Sequence, residues 1–233
     1  LERLAAAPGV IRGVTLQDNV HHVVGVLERV REHGPVVLLG HSRAGVTITA
    51  VANARPDLVD RLVYVAAWAP VELDVGAYYA EPEMAGVDVA GMQRAALGDP
   101  AALGLLRTNF RTADPAALTA LKAAFLADGT DDEFLVMLNS FQPDENLDAG
   151  SAGDRAQRST WGTVPRTFIR LREDASMPLA MQDRIIREGD ALTPENPYDV
   201  HTLPGSHLAW LVRPRAAAEL IGGLAMSTGE AAH

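Results

Sequence analysis

The chain of 233 residues is 48% hydrophobic and 21% charged and contains no cysteine, which suits one domain standing on its own core and excludes a disulfide scaffold. Thirty acidic against twenty basic residues leave a net charge of −10, a poor basis for sequence-blind phosphate binding, so no nucleic-acid partner is expected. No apolar run approaches the roughly 20 residues of a membrane span, and the first ten residues lack a basic stretch followed by a long apolar one, so a cytoplasmic protein without a membrane partner is expected.

Along residues 15–33 the apolar positions Leu16, Val20, Val23, Val24, Leu27 and Val30 recur with a 3.6-residue period, which predicts an amphipathic helix. Thr15 can cap its start, Asp18 places a carboxylate in the first turn, and Gly34-Pro35 ends it. Residues 36–39 then read as a short strand buried on both faces. Gly40-His41-Ser42-Arg43-Ala44-Gly45 comes next, followed by a helix over residues 46–54 that Pro56 closes. RLVYVAA, residues 61–67, predicts the next buried strand.

Residues 71–160 hold fifteen acidic and six basic side chains, net −9, whereas the rest of the chain is net −1. Short helical patterns at 116–126 and 132–141 alternate there with Gly, Pro and Asp, which predicts a helical insertion. The strand-helix alternation resumes with a strand at 166–171, a helix at 179–187, a strand at 199–203 and a helix at 214–225, while 227–233 are expected to fray. This rhythm predicts an α/β fold with a mostly parallel sheet and helices on both faces. Its core is expected to comprise residues 1–70 and 160–233, with 71–159 as the helical insertion.

Ser42 sits in G-x-S-x-A where a buried strand meets a helix, the context of a nucleophile elbow. Backbones run close in such a turn, so Gly40, Ala44 and Gly45 must be small while Ser42 projects. The Arg43 backbone N–H at the helix start can then hold an oxyanion. A serine needs a base that an acid orients, in the chain order Ser, Asp or Glu, His. Asp174, three residues past the strand at 166–171, and His207, just past the strand at 199–203, supply that order at the same sheet edge. Glu173 is the competing acid.

The remaining histidines have no metal-site spacing, so neither a metal nor an organic cofactor is expected. His41 precedes the nucleophile and is read as structural, though near enough to border the pocket. Phe110, Phe134 and Met137 from the insert are further pocket candidates, with Trp161 and Trp210, which flank the segments of Asp174 and His207. Phe125, Phe141, Met84 and Met92 come from the same insert, where packing of its own helices is the competing role.

The runs VVLLGHSRAGVTITAVANARPDLVDRLVYVAAWAP, VPRTFIRLREDASMPLAMQDRII and VHTLPGSHLAWLVRP resemble the α/β-hydrolase superfamily, and within it the bacterial relatives of plant methyl esterases and hydroxynitrile lyases. The resemblance covers residues 11–70 and 160–225. It implies the α/β-hydrolase fold with a helical cap, Ser42, Asp174 and His207 as nucleophile, acid and base, and hydrolysis of small or mid-sized apolar carboxylic esters such as methyl esters.

Two departures stand out. The family's elbow usually ends in Gly-Gly where this chain has Ala44-Gly45. Members also begin with strands and a His-Gly loop that supplies a second oxyanion N–H, so about 40 to 55 residues typical of the family are expected to be absent before Leu1, with LERLAAAPGV as the loop that follows them. That absence supports an alternative from a different class, a non-catalytic small-molecule binding protein on the same scaffold. The lyases place a lysine directly after the catalytic histidine; this chain has Leu208 there, and its sole lysine is Lys122, so cyanide release is disfavoured. A small-molecule ester is the expected partner, and a homodimer is left open.

Overall fold

The computed structural model describes residues 1–148 and 150–231. In chain order, α1 (Glu2–Ala6) and α2 (Leu16–Arg31) lead into β1 (Val37–His41), α3 (Ala44–Ala54) and β2 (Arg61–Val65). A long inserted stretch follows, with α4 (Val75–Tyr78), α5 (Val89–Gln93), α6 (Pro100–Leu103), β3 (Leu106–Arg107), α7 (Pro115–Phe125), α8 (Asp131–Ser140) and β4 (Asp144–Glu145). β5 (Arg166–Leu171), α9 (Leu179–Leu192), β6 (Asp199–Leu203), α10 (Ala209–Val212) and α11 (Arg215–Ala231) complete the chain.

The sheet is parallel throughout, in the order β1-β2-β5-β6, and β3 and β4 pair antiparallel as a separate ribbon. Along β2 the side chains alternate with the two-residue period of a strand. Leu62 and Tyr64 join the core formed with α2, α3 and α9, whereas Val63 and Val65 join Ile169, Leu171 and Leu224 of α11 on the opposite face. Helices therefore cover both faces, and the strands' C-terminal ends share one edge where loops meet the insert.

Local chemistry explains most element boundaries. Thr15 and Asp18 form a reciprocal capping box at the start of α2, and Thr130 and Glu133 form another at α8. The acidic character of the insert has the same origin in part: Asp74, Asp88, Asp99 and Asp114 each cap a helix start, and α6 and α7 also carry proline in the first turn. Charges spent in this way are anchored to backbone N–H groups.

Several expectations are corrected. β1 is an edge strand of the described sheet, so Val37, Leu38 and Leu39 are only half-buried rather than buried on both faces. The strand expected to reach Ala67 stops at Val65, because Ala66 turns to φ +37°. Residues 2–6 are helical rather than a loop, α9 continues to Leu192, and α11 holds its form through Ala231 where fraying was expected. Residues 232 and 233 of the expected tail lie outside the described residues.

Candidate active site

Ser42 directly follows β1 and adopts φ +54°. This left-handed conformation costs a non-glycine residue roughly 1–3 kcal/mol and persists only where the surroundings enforce it. The enforcement comes from the end of β2. The Ser42 N–H donates to the Val65 carbonyl at 3.2 Å, and the Ser42 carbonyl accepts from the N–H groups of Trp68 at 3.0 Å and Gly45 at 3.2 Å. A Cβ on Gly45 would lie 2.3 Å from the Trp68 carbonyl oxygen, and one on Gly40 would lie 3.0 Å from the Ala44 backbone. Glycine is thus demanded at position 45 and closely fitted at position 40; the Ala44 side chain is exposed, so packing asks nothing of it. The Arg43 backbone N–H, at the start of α3, has no hydrogen-bond acceptor among the described residues.

His207 lies in the loop after β6 and Asp174 in the loop after β5, both buried. The His207 Nδ1–H donates to Asp174 Oδ2 at 2.6 Å, and Asp174 Oδ1 accepts from the backbone N–H groups of Ser176 and Met177, each at 2.8 Å. Three donors thus fix this carboxylate with one oxygen turned to the imidazole. Glu173, the competing acid, instead accepts from the Gly205 N–H.

His41 packs its ring 4.4 Å from that of His207 and donates from Nε2 to the His207 carbonyl at 3.0 Å. Burial, with the neighbouring His207, pushes its pKa down to about 3, so it stays neutral at physiological pH.

A cavity of about 410 Å³ opens between the elbow and the insert, bordered by His41, Ser42, His207, Phe110, Phe125 and Phe141. The Phe110 and Phe141 rings stand edge-on at 4.9 Å, and Phe125 is 6.1 Å from the His207 ring. Two carboxylates also border it, both paired: Asp144 with Arg107 at 2.5 and 2.7 Å, and Glu145 with Arg43 at 3.4 Å. The Arg107 guanidinium holds the Asp144 carboxyl below the usual aspartate range. Among the described residues no hydrogen bond joins Ser42 Oγ to His207, although both border this cavity; in unliganded sites such contacts are commonly long and tighten around substrate.

Four of the expected pocket residues lie elsewhere. Phe134 and Met137 are buried in the insert's own core with Leu121 and Leu138. Trp161 is wholly buried beneath the sheet, donating from Nε1 to the Tyr64 hydroxyl at 2.8 Å with the Arg166 guanidinium stacked at 3.9 Å. Trp210 stands edge-on to His41 at 5.4 Å and borders a different cavity, beside Leu203 and Arg213. His41 and Phe110 are found at the candidate site, joined by Phe125 and Phe141.

Sequence reasoning missed the Arg43 side chain, which reaches the insert and donates to Asn146 Oδ1 at 2.9 Å and to the Asp148 carbonyl at 2.8 Å. No local pattern announces a contact across a hundred residues. Among the described residues no group of three or more His, Cys, Asp or Glu side chains is placed to hold a metal ion, and no helix is long and apolar enough to cross a membrane.

Comparison with known proteins bears on the fold and the family. The sequence is 26% identical over 207 residues to a pyrethroid hydrolase of Sphingobium wenxiniae, covering 86% of this chain and 67% of that protein. The structure is similar to a crystal structure of a pyrethroid hydrolase, with a TM-score of 0.68 and 23% identity over 93% of this chain and 80% of the other. It is also similar to polyneuridine aldehyde esterase, with a TM-score of 0.66 and 18% identity over 91% of this chain and 80% of the other. Residues 6–220 match the alpha/beta hydrolase family, and the chain is a member of that family.

Proposed function

We propose that the protein is a serine esterase acting on neutral, apolar carboxylic esters of small or middle size. One observation carries the reading: a buried imidazole held at 2.6 Å by a carboxylate borders the same cavity as a serine locked in a left-handed turn. Ser42 Oγ attacks the ester carbonyl while His207 Nε2 takes its proton. Asp174 holds the Nδ1–H tautomer and stabilises the imidazolium. The Arg43 N–H donates to the oxyanion. Collapse expels the alcohol with the proton from His207; water, activated by the same imidazole, then releases the acid and restores Ser42.

The three phenylalanines favour an apolar substrate, and pairing of Asp144 and Glu145 with arginines removes the free charge that would select a cation. The insert acts in this reading as the cap that shapes the pocket. The reading is tested by hydrolysis of p-nitrophenyl esters of graded acyl length, with Ser42→Ala as control. Turnover that vanishes in the variant supports it. Saturable ester binding without turnover in the unmodified protein would instead favour a binding protein.

A further inference from the structure

The end of α7 and the turn after it run against the loops that carry Asp174 and His207. The Ala124 carbonyl accepts from the Ser176 hydroxyl at 2.9 Å, and the Phe125 carbonyl accepts from the Leu208 N–H at 2.9 Å. Asp128 Oδ1 accepts from the Ser206 hydroxyl and, at 3.3 Å, from the Ser206 N–H, while Asp128 Oδ2 accepts from Arg213 at 2.6 Å. Ser206 is fully buried. Gly205, before it, has φ +105°, and a Cβ there would meet Ala209 at 2.6 Å and Asp128 Oδ2 at 3.1 Å.

We propose that Asp128 of the insert is a positioning residue for His207. The residues on either side of His207 are both held by the insert, Ser206 through Asp128 and Leu208 through Phe125, while His41 holds the His207 carbonyl. With its neighbours pinned, the His207 backbone has one setting, and the ring meets Asp174 in that setting. Burial alone would raise the Asp128 carboxyl, but the hydrogen bonds from Ser206 and Arg213 bring it below the usual aspartate range, so it acts as a charged acceptor. Phe125 joins the two roles of the insert: its carbonyl anchors Leu208 and its ring borders the cavity.

This inference rests on His207 as the base, so the test includes a readout independent of turnover. The low-field proton signal of the His207 Nδ1–H, assigned by its loss in His207→Gln, is compared in the unmodified protein, Asp128→Ala and Asp128→Asn, together with fluorophosphonate labelling rates and melting temperatures. Asp128→Ala should broaden or lose the signal and slow labelling about 10- to 100-fold, the effect of a misplacement near 1 Å, with the probe's half-saturation unchanged. Asp128→Asn, which keeps an acceptor for Ser206, should restore most of both. A sharp signal and an undiminished labelling rate in Asp128→Ala would overturn the proposal. Should Asp128→Ala fail to fold, Ser206→Ala answers the same question, with the same signal and rate deciding. If the unmodified protein is not labelled but Asp128→Ala still loses the signal, the positioning role stands and the esterase reading falls.

Discussion

Substitution of Gly45 by alanine tests whether the elbow is held as tightly as its geometry implies. The added Cβ would sit 2.3 Å from the Trp68 carbonyl oxygen and 2.9 Å from both the Trp68 nitrogen and the Ala67 Cβ. Two of these are backbone atoms, so no rotamer change relieves the clash and the chain after β2 must move by about 1 Å to reach ordinary contact. Overpacking of this kind costs about 1–3 kcal/mol or more. For a chain of this size each kcal/mol lowers the melting temperature by about 2–4 °C, so a fall of roughly 2–12 °C is expected. Because the Trp68 N–H donates to the Ser42 carbonyl, that movement also loosens the setting of Ser42, and fluorophosphonate labelling should slow. Gly40→Ala meets the Ala44 backbone and Ile48 at 3.0 Å and should cost less. Ala44→Gly, at an exposed position, should cost least. Thermal unfolding followed by circular dichroism measures all three; a Gly45→Ala protein melting within a degree of the unmodified one would refute the packing argument.

Asp174→Asn should reduce esterase turnover by about three to four orders of magnitude, because the N–H groups of Ser176 and Met177 claim the amide oxygen and turn its NH2 toward His207 Nδ1, imposing the wrong tautomer; retention of a tenth of the activity would contradict this. His41, whose pKa burial lowers from 6.5 to about 3, is unprotonated in the folded state where the unfolded chain takes up a proton. Its contribution is complete above pH 6.5 and is lost as the pH falls toward 3, amounting to about 1 kcal/mol between pH 7 and 5.5; denaturant unfolding at those two values should show that loss, and His41→Gln should remove it. Arg43→Ala deletes the tie to Asn146 and Asp148 but leaves the backbone N–H in place, so KM for an apolar ester should rise several-fold while labelling of Ser42 persists. Loss of labelling there would assign the side chain a direct part in the chemistry.

Much of the architecture is legible because local rules and tertiary structure agree. The period of α2, the Thr15 cap, the apolar runs of β2 and β5, and the strand-to-helix setting of Ser42 each have a short-range signature, and each is found in the structure, with β2 ending two residues before its apolar run does. The pairing of His207 with Asp174 follows from loops at one edge of a parallel sheet. The residues that shape the cavity were less legible. Phe134 and Phe110 look alike in sequence, yet one fills the insert's core and the other borders the cavity, which depends on how short helices settle against each other. Trp161 lies near the core segments in sequence, but its indole N–H is committed to Tyr64, ninety-seven residues away. Arg43 and Asp128 make contacts of the same kind, between segments joined only by the fold.

Whether Ser42 is an activated nucleophile is decided by intact-mass detection of fluorophosphonate labelling on the folded protein, with Ser42→Ala and His207→Ala alongside and circular dichroism to verify the fold of each. One probe per chain is expected at Ser42, absent in the serine variant and slowed by orders of magnitude in the histidine variant. A folded protein that takes up no probe, or takes it up equally without His207, would rule out a serine activated by His207.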